Sequence, residues 1–590
     1  MLAVEAPSAD LAAIYGRHTG NIPQRTIDPI QWEVGDTDSF FYTEQANETV
    51  VETTARVVYV SDKLIMWLEE GVRVNDRVVQ EAAVTLEQEV FPTTREIFGR
   101  EPTSGIDQNP AIHILHIGDM GGNTIGYFSG KDGYTRDVSP LSNEREMFYI
   151  NLDFVSIGDR DYYDVVSHEF LHMLQWAIDR NEDTWLNEGL AELSTTLNGY
   201  GASDFLSAYL RNPDTSLTAF RYNGGDYGAA WLFASWLYDQ YGAEFIGDLV
   251  SQPQNGIAGV DALLNSYRLD QDFLNIYADW MVAVYSTNHN LPVSAEFKFD
   301  TVDRFFVRVP KIDPVTPQQE EAILTTVGQF GSDYWQIPAD QAYELTIEPS
   351  QQVQLFDTQP FSGSWIWSTL PADFSDMHLT HPIDLSDVET ATLEYKTWYD
   401  IEVGYDYAYV SISADGGLTW DTLLTTASVN SDPHGKNIGN GITGFSGGGN
   451  EPVWVAQSAN LSEWAGQANL LLRFEYITDD AVQHAGMAID DISIPEVNWF
   501  DDFENGNGDW ESAGFARHTN VLPQTFIVQT LAILGDDPVQ VVPHQPDKNG
   551  VYTIEIEPAE NQSETILAIA GTTPITFQSA AYQITLKPKP

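Results

Sequence analysis

The chain contains no cysteine. Disulfides, thiol catalysis, iron–sulfur clusters and cysteine zinc fingers are therefore excluded, so any metal site must be built from His, Asp and Glu. Basic residues are also scarce, because 27 Lys and Arg stand against 87 Asp and Glu, a formal net charge of −60. Such a surface repels nucleic-acid phosphates and anionic lipids, so we expect no nucleic-acid partner and a monomer.

Long apolar runs are missing too. No stretch of about 18 consecutive apolar residues occurs, which predicts that the chain has no membrane span. Residues 1–7 contain neither the basic region nor the apolar region of a signal peptide. Since an acidic, cysteine-free composition fits an exported bacterial protein, we expect a secreted, extracellular protein whose signal peptide is absent from this sequence.

Helix and strand signals are mixed in the first half of the chain. Residues 57–68 and 78–98 have the apolar spacing of helices, whereas residues 111–116 and 147–152 have the composition of strands. A mainly helical run follows over residues 162–284. Helices and strands in separate blocks predict an α+β fold for this part.

The pattern changes near residue 291 to short alternating strands separated by turn residues, which favours β-sandwich modules. We predict an N-terminal segment over residues 1–45, an α+β domain over 46–290 and a jelly-roll β-sandwich over 355–515. The strand patterns over 291–354 and 516–590 each look short for a domain. We therefore expect these two segments to join into one β-rich domain into which the sandwich is inserted.

The segment His168-Glu169-Phe170-Leu171-His172 carries the clearest chemical signal. On a helix, His168 and His172 share one face about 6 Å apart along the axis, which suits two imidazoles that bind a tetrahedral zinc ion. A polar turn at residues 180–183 lets a second helix run back against the first, which brings Glu188 to the same ion. Three protein ligands leave one position for water.

Neighbouring carboxylates complete this pattern. Glu169 is placed to accept a proton from the water, as a general base. Glu192, one turn beyond Glu188, is expected to accept the outer N–H of a ligating His, or else to be an exposed surface carboxylate. A helix with two core histidines is the alternative, but burying His, Glu and His on one face without a metal is costly. A metal-binding but inactive site is a further alternative.

The stretches HEFLHMLQW and WLNEGLAEL resemble the gluzincin zinc metallopeptidases, most closely the hyicolysin-like and immune inhibitor A-like secreted bacterial peptidases. The similarity spans about residues 50–285. It implies a zincin-like catalytic domain, a mixed sheet plus active-site helices, with His168, His172 and Glu188 as zinc ligands and Glu169 as general base and acid.

In gluzincins a Tyr or His from a later segment stabilises the oxyanion of the tetrahedral intermediate. The resemblance implies Tyr227, and after it Tyr222, for this role, although each is also suited to be a packing aromatic. A peptide substrate is commonly bound as an added strand at a sheet edge. Residues 124–129 are expected to form such an edge, or else an ordinary strand.

Residues 398–402, 406–410 and 488–492 resemble the MAM-like jelly-roll domain that follows the catalytic domain in immune inhibitor A-like peptidases. The resemblance implies bound calcium, which carboxylate oxygens favour. Ordinary turn and edge-strand carboxylates are the alternative. The candidates are Asp400, Glu402, Asp490 and Asp491.

Together these observations predict a secreted zinc endopeptidase that hydrolyses protein or peptide substrates through a metal-activated water. The alternative is an extracellular adhesion or binding protein with a structural or vestigial zinc site. The intact Glu169 argues against it, since a structural zinc needs no general base. A peptidase that trims only short peptides is a narrower alternative.

Overall fold

A computed structural model of the protein describes residues 5–101, 105–302, 310–338, 340–558, 562 and 564–589. Its α-helices are α1 (Leu11–Thr19), α2 (Asp76–Thr85), α3 (Phe91–Phe98), α4 (Arg160–Ile178), α5 (Thr184–Leu197), α6 (Leu206–Arg211), α7 (Gly224–Val250), α8 (Gly256–Ser266) and α9 (Phe273–His289). Among the described residues, no helix is both long and apolar enough to cross a lipid bilayer.

A mixed six-stranded sheet supports the helices. Its strands are β1 (Thr37–Glu44), β2 (Thr49–Val60), β3 (Leu64–Glu69), β4 (Ile112–Ile117), β5 (Gly126–Phe128) and β6 (Met147–Asn151). The spatial order is β1-β2-β3-β4-β6-β5, and β3, β4 and β6 run parallel to one another. The prediction of an edge strand within residues 124–129 is confirmed, because β5 is the end strand of this sheet and, among the described strands, pairs with β6 alone.

The helical prediction for residues 57–68 is wrong, because they form the end of β2 and most of β3. β3 is buried along nearly its whole length, so it lacks the alternation of a half-exposed strand. An apolar run buried on both faces cannot be distinguished from a buried helix by spacing alone. The helical prediction for residues 78–98 is confirmed by α2 and α3, which a π-helical turn at Leu86–Val90 joins.

The helices pack on one face of the sheet. Met66, Ile114 and Phe148 on that face share a large core with α2 to α9. α5 lies between α4 and α7, and Gly189 permits the close approach to α7, since a Cβ at Gly189 would lie 2.7 Å from the carbonyl oxygen of Ala230. These packing contacts hold α4 and α5 side by side.

The rest of the chain is built from short strands. They are β7 (Ala322–Val327), β8 (Asp333–Ile337), β9 (Tyr343–Pro349), β10 (Gln352–Gln354), β11 (Ile366–Thr369), β12 (Asp376–Ile383), β13 (Thr392–Ile401), β14 (Tyr407–Ser413), β15 (Asp421–Thr422), β16 (Gly444–Phe445), β17 (Val455–Asn460), β18 (Leu470–Ile477), β19 (Gly486–Ile494), β20 (Trp499–Asp501), β21 (Glu511–Ala513), β22 (Phe515–His518), β23 (Val521–Pro523), β24 (Phe526–Leu534), β25 (Asp537–Pro543), β26 (Tyr552–Ile556), β27 (Glu564–Gly571) and β28 (Ala580–Pro588).

Strands β11 to β22 form a sandwich of two antiparallel sheets. One sheet has the order β16-β13-β19-β11-β22, with β17 paired to β13 and β20 to β19, and the other has the order β15-β14-β18-β12-β21. Leu379, Tyr395 and Phe474 contribute to the core between them. Alternation of inward apolar and outward polar side chains explains why these short strands pack as two layers.

Strands that flank the sandwich pair with one another. β8 joins β24, β25 and β27 in one four-stranded sheet, and β7 and β9 join β26 and β28 in another. Ile347, Leu567 and Tyr582 belong to the core that these sheets share. β10 and β23 form a two-stranded ladder where the chain enters and leaves the sandwich.

The N-terminal helix α1 is held against the sandwich by buried ions. The Arg17 guanidinium lies 2.7 Å from the Asp376 carboxylate and also contacts Glu475, while Nε2 of His18 lies 3.1 Å from Glu475. Burial alone would raise the pKa of Glu475, but the hydrogen bond to His18 and the charge of Arg17 outweigh burial and lower it to about 2. Glu475 is therefore ionised and fully enclosed.

We expect Glu475→Gln to lower the free energy of unfolding by about 1.5–3 kcal/mol at pH 7, because the charged hydrogen bond to Arg17 is lost and Asp376 becomes its main counter-charge. A carboxyl group with a depressed pKa stabilises the fold above its ordinary value of 4.5 and loses that effect as the pH falls towards 2. Urea unfolding at several pH values measures this difference. Glu463→Gln, at an exposed position on the sandwich, is the control. Equal stability of the two variants would contradict the expectation.

Candidate active site

Helices α4 and α5 bring three potential metal ligands together. Nε2 of His168 and Nε2 of His172 are 3.0 Å apart. Oε2 of Glu188 lies 3.3 Å from the first of these nitrogens and 3.5 Å from the second. One ligand atom from each residue fits within 4.8 Å of the others, which is the spacing of a metal-binding group.

Acceptors on the far side of each imidazole determine where its proton lies. Oε1 of Gln175 is 3.0 Å from Nδ1 of His172, and Oε1 of Glu192 is 3.5 Å from Nδ1 of His168. Gln175 is oriented by its own amide, which donates to the carbonyl oxygen of Asn187 at 3.0 Å. Each ring is thus favoured as the Nδ1–H tautomer, which leaves the Nε2 lone pair free.

Two Nε2 lone pairs and a carboxylate that face one another repel unless protons or a metal cation lie between them. Oε2 of Glu188 is buried and meets no donor with hydrogen-bond geometry among the described residues. Burial raises the pKa of Glu188, but protonated His172 and His168 imidazoles lower it to about 2, so this residue is a carboxylate. Burial lowers the pKa of both imidazoles, but the Glu188 carboxylate acts in the opposite direction and the pKa of each is raised. Two imidazole nitrogens and one carboxylate oxygen are the donor set of a zinc site with an open position.

Glu169 lies beside this group on α4 and is almost fully buried. Burial raises its pKa, while His168 and His172 act in the opposite direction. Its carboxylate accepts a backbone hydrogen bond from Phe128 of the edge strand β5. A carboxylate with a raised proton affinity, placed next to a metal group, is suited to take up a proton from water.

Tyr227 and Tyr222 both line the cavity that contains these residues. Phe205 stacks on the Tyr227 ring at 5.0 Å between centroids, and Phe220 meets its edge at 5.0 Å. Burial raises the pKa of Tyr227, and the charges of Glu188, Glu192 and Glu169 raise it further. The hydroxyl therefore stays protonated and can act only as a neutral donor.

The cavity has a volume of about 440 Å³ and lies between the α+β part and loops of the sandwich. On one side are the edge strand β5 and the helices α4 and α5. Opposite them are sandwich side chains, among them Tyr405, Lys436 and Asp479. An open cleft of this kind can admit an extended peptide.

The structure does not bring the four predicted calcium ligands together. Asp400 pairs with Gly486 in the β13–β19 ladder, and Lys396 pairs with Asp490, so Asp400 and Asp490 lie about 13 Å apart along the strand. Asp400 contacts Nδ1 of His484. Asp490 and Asp491 instead accept hydrogen bonds from the backbone and the hydroxyl of Ser362.

The fourth candidate, Glu402, lies in a different acidic group with Asp406 and Asp479. The ammonium of Lys436 is 3.6 Å from the Asp479 carboxylate and supplies positive charge there. Burial, Asp479 and Asp406 together raise the pKa of Glu402 to about 11, which favours its protonated form. The sequence pattern placed Asp400 and Glu402 together because they are close in the chain, but they belong to different clusters.

Comparison with known proteins shows which family part of this chain resembles. Residues 344–520 match the family model of the immune inhibitor A-like MAM domain. This part of the chain is therefore similar to the MAM domain of immune inhibitor A-like proteins. A segment of 136 residues is 31% identical to the pre-pro-metalloprotease PrtV of Vibrio cholerae, and it covers 23% of this chain and 14% of that protein. Bacillopeptidase F of Bacillus subtilis is 23% identical over 192 residues, which cover 27% of this chain and 12% of that protein.

This match confirms the resemblance of the sandwich to the MAM-like domain of immune inhibitor A-like proteins. The matched MAM range contains the whole sandwich from β11 to β22. It lies outside α4 and α5, so the roles of His168, Glu169, His172 and Glu188 stay predictions. The chain spans less than a sixth of the length of these curated relatives.

Gln175 was not singled out from the sequence, although its position three residues after His172 places it on the same side of α4. We expect Gln175→Ala to weaken zinc binding by about 10- to 100-fold, because the His172 ring loses the acceptor that orients it. Competition with a chromogenic chelator measures the affinity. Gln80→Ala, at an exposed position on α2, is the control. An unchanged affinity in Gln175→Ala would show that this contact does not orient the ring.

Proposed function

We propose that this protein is a secreted zinc-dependent endopeptidase that hydrolyses peptide bonds in proteins. The observation that carries the proposal is the convergence of His168, His172 and Glu188, with Glu169 beside them, in an open cleft. The names of PrtV and Bacillopeptidase F, which describe those relatives as peptidases, support the same reaction class. The acidic, cysteine-free composition supports action outside the cell.

Nε2 of His168, Nε2 of His172 and the Glu188 carboxylate would hold the zinc ion. When bound there, zinc supplies a Lewis acid that polarises the scissile carbonyl and lowers the pKa of water. Glu192 and Gln175 keep the two rings in the tautomer that presents Nε2. The chain itself thus supplies three ligand atoms in fixed positions and keeps the ring protons on the outer nitrogens.

Glu169 acts as the proton carrier. Its carboxylate accepts a proton from the attacking water and later delivers it to the amine of the leaving product. Its position is fixed by α4 on one side and by the Phe128 amide of β5 on the other. The same carboxylate therefore touches both the reaction centre and the strand that we expect to bind the substrate.

The edge strand β5 supplies the binding surface for an extended peptide. Its outer edge faces away from β6 and lines the cleft through Gly126, Tyr127 and Phe128. A peptide that pairs with β5 as an added strand lies near Glu169, because this side chain packs against β5: a Cβ at Gly126 would lie 3.3 Å from Cγ of Glu169. The lack of a side chain at Gly126 lets Glu169 approach the strand this closely.

We expect Glu169→Gln to reduce hydrolysis of an unfolded protein substrate by about 10²- to 10⁴-fold, because the general base and acid is lost while the metal ligands stay in place. Zinc content, measured on the same samples, is expected to remain near that of the wild type. His172→Ala is expected to lose both zinc and activity. Glu96→Gln, an exposed glutamate on α3, is the control.

Retained activity in Glu169→Gln would overturn this mechanism. Zinc in the wild type without cleavage of any long substrate would favour an extracellular binding protein with a structural zinc site. Release of only single residues or dipeptides from the substrate ends would instead indicate a peptidase restricted to short peptides.

Tyr227 is our assignment for the donor to the oxyanion, because it lines the same cleft as His168, Glu169 and Glu188 and its hydroxyl stays protonated. We expect Tyr227→Phe to lower kcat by about 10²- to 10³-fold with little change in KM, since the hydrogen bond forms only as negative charge develops on the oxygen. Steady-state kinetics on a fluorogenic peptide measure both constants. A rise in KM alone would assign Tyr227 to substrate binding.

A further inference from the structure

The sandwich contacts both helices that carry the proposed zinc ligands. Phe374, in the loop before β12, packs edge-to-face on Trp176 of α4 at 4.4 Å between ring centroids. The neighbouring residue Asp373 accepts a hydrogen bond from the hydroxyl of Thr184, the first residue of α5. Trp176 follows His172 by four residues and Thr184 precedes Glu188 by four, so these contacts lie one helical turn from the ligands.

A second loop of the sandwich, residues 479–483 between β18 and β19, reaches further into the cleft. The carboxylate of Asp480 accepts a hydrogen bond from the Gly130 amide at 3.2 Å. The amide of Gln483 donates to Asp373 at 3.0 Å, which ties this loop to the one that contacts α5. Between these two anchors, the backbone N–H of Val482 donates to the hydroxyl oxygen of Tyr222 at 3.3 Å.

Both partners in this hydrogen bond have a left-handed backbone. The φ angle is 65° at Val482 and 55° at Tyr222. A β-branched residue adopts this conformation only where its surroundings impose it, because its side chain clashes with the backbone. The Val482–Tyr222 contact is thus held in place by anchors on each side.

The hydrogen bond leaves Tyr222 able to donate. The amide of Val482 occupies a lone pair of the hydroxyl oxygen, so the hydroxyl proton is available to another acceptor. Burial and the charge of Glu188 raise the pKa of Tyr222, which keeps that proton on the oxygen. Accepting a hydrogen bond also polarises the O–H group and makes it a stronger donor.

We propose that the β-sandwich completes the peptide-binding cleft: the Val482 amide orients the Tyr222 hydroxyl to donate to a carbonyl oxygen of the bound peptide, and Gln483 holds the loop that carries Val482. Tyr222 is then a second hydroxyl donor beside Tyr227, and Val482 and Gln483 are positioning residues on the sandwich. This inference rests on the proposed peptidase function and adds to it a requirement for the sandwich in substrate binding and turnover.

A double-mutant cycle in the full-length chain tests the coupling. We expect Tyr222→Phe to lower kcat/KM for a fluorogenic peptide by about 10- to 100-fold, with zinc content unchanged. Gln483→Ala is expected to lower kcat/KM by about three- to tenfold in the wild-type background, because the loop loses an anchor. In the Tyr222→Phe background, Gln483→Ala is expected to have no further effect.

Hydrogen exchange gives a readout that does not depend on activity. The Val482 amide is expected to exchange about fivefold faster in Tyr222→Phe than in the wild type, because its acceptor has been removed. Gln467→Ala, an exposed glutamine elsewhere on the sandwich, is the control and should change neither kinetics nor exchange.

The outcomes separate this inference from the proposed function. An active wild-type enzyme in which Tyr222→Phe has no effect, or in which the two substitutions act additively, overturns the role of the sandwich and leaves the peptidase standing. A wild-type protein that binds zinc but cleaves nothing overturns both. Loss of zinc in Tyr222→Phe would also overturn the inference, since it would show that the hydroxyl supports the metal group.

Discussion

The geometry of the site depends on positive charge between His168, His172 and Glu188. Without it, the nitrogen and oxygen atoms that face one another would repel. The outer nitrogens of both rings have oxygen acceptors, so the two inner lone pairs converge at 3.0 Å beside an ionised carboxylate. Such an arrangement needs positive charge between these groups, which protons on the imidazoles or a bound metal ion can supply. Zinc is the ion that this donor set suits best.

That convergence requires α4 and α5 to be held at one distance, and the packing around them does this from both sides. Gly189 lets α5 approach α7 closely, while the sandwich contacts α4 at Trp176 and α5 at Thr184. Because a helix is rigid over one turn, contacts that fix Trp176 and Thr184 also fix the positions of His172 and Glu188. The sandwich is therefore part of the frame of the cleft rather than a separate attachment.

A cluster of carboxylates also lines the cleft of this acidic protein. Glu402, Asp406 and Asp479 lie on the sandwich side, where Lys436 is their main positive neighbour. The Lys436 ammonium supplies positive charge that lowers the electrostatic cost of placing these carboxylates together.

Local spacing was enough to predict the metal group, because residues four apart on a helix share a face whatever the rest of the fold does. Local alternation also predicted the edge strand β5 and a β-sandwich, and the resemblance to a known family identified that sandwich as MAM-like. Local spacing failed for residues 57–68, since a strand buried on both faces has no period to detect. The orientation of Gln175, the separation of Asp400 from Asp490 and the contact of Val482 with Tyr222 were decided by tertiary structure alone. Each depends on residues distant in the chain, whose proximity comes from packing and leaves no trace in local sequence.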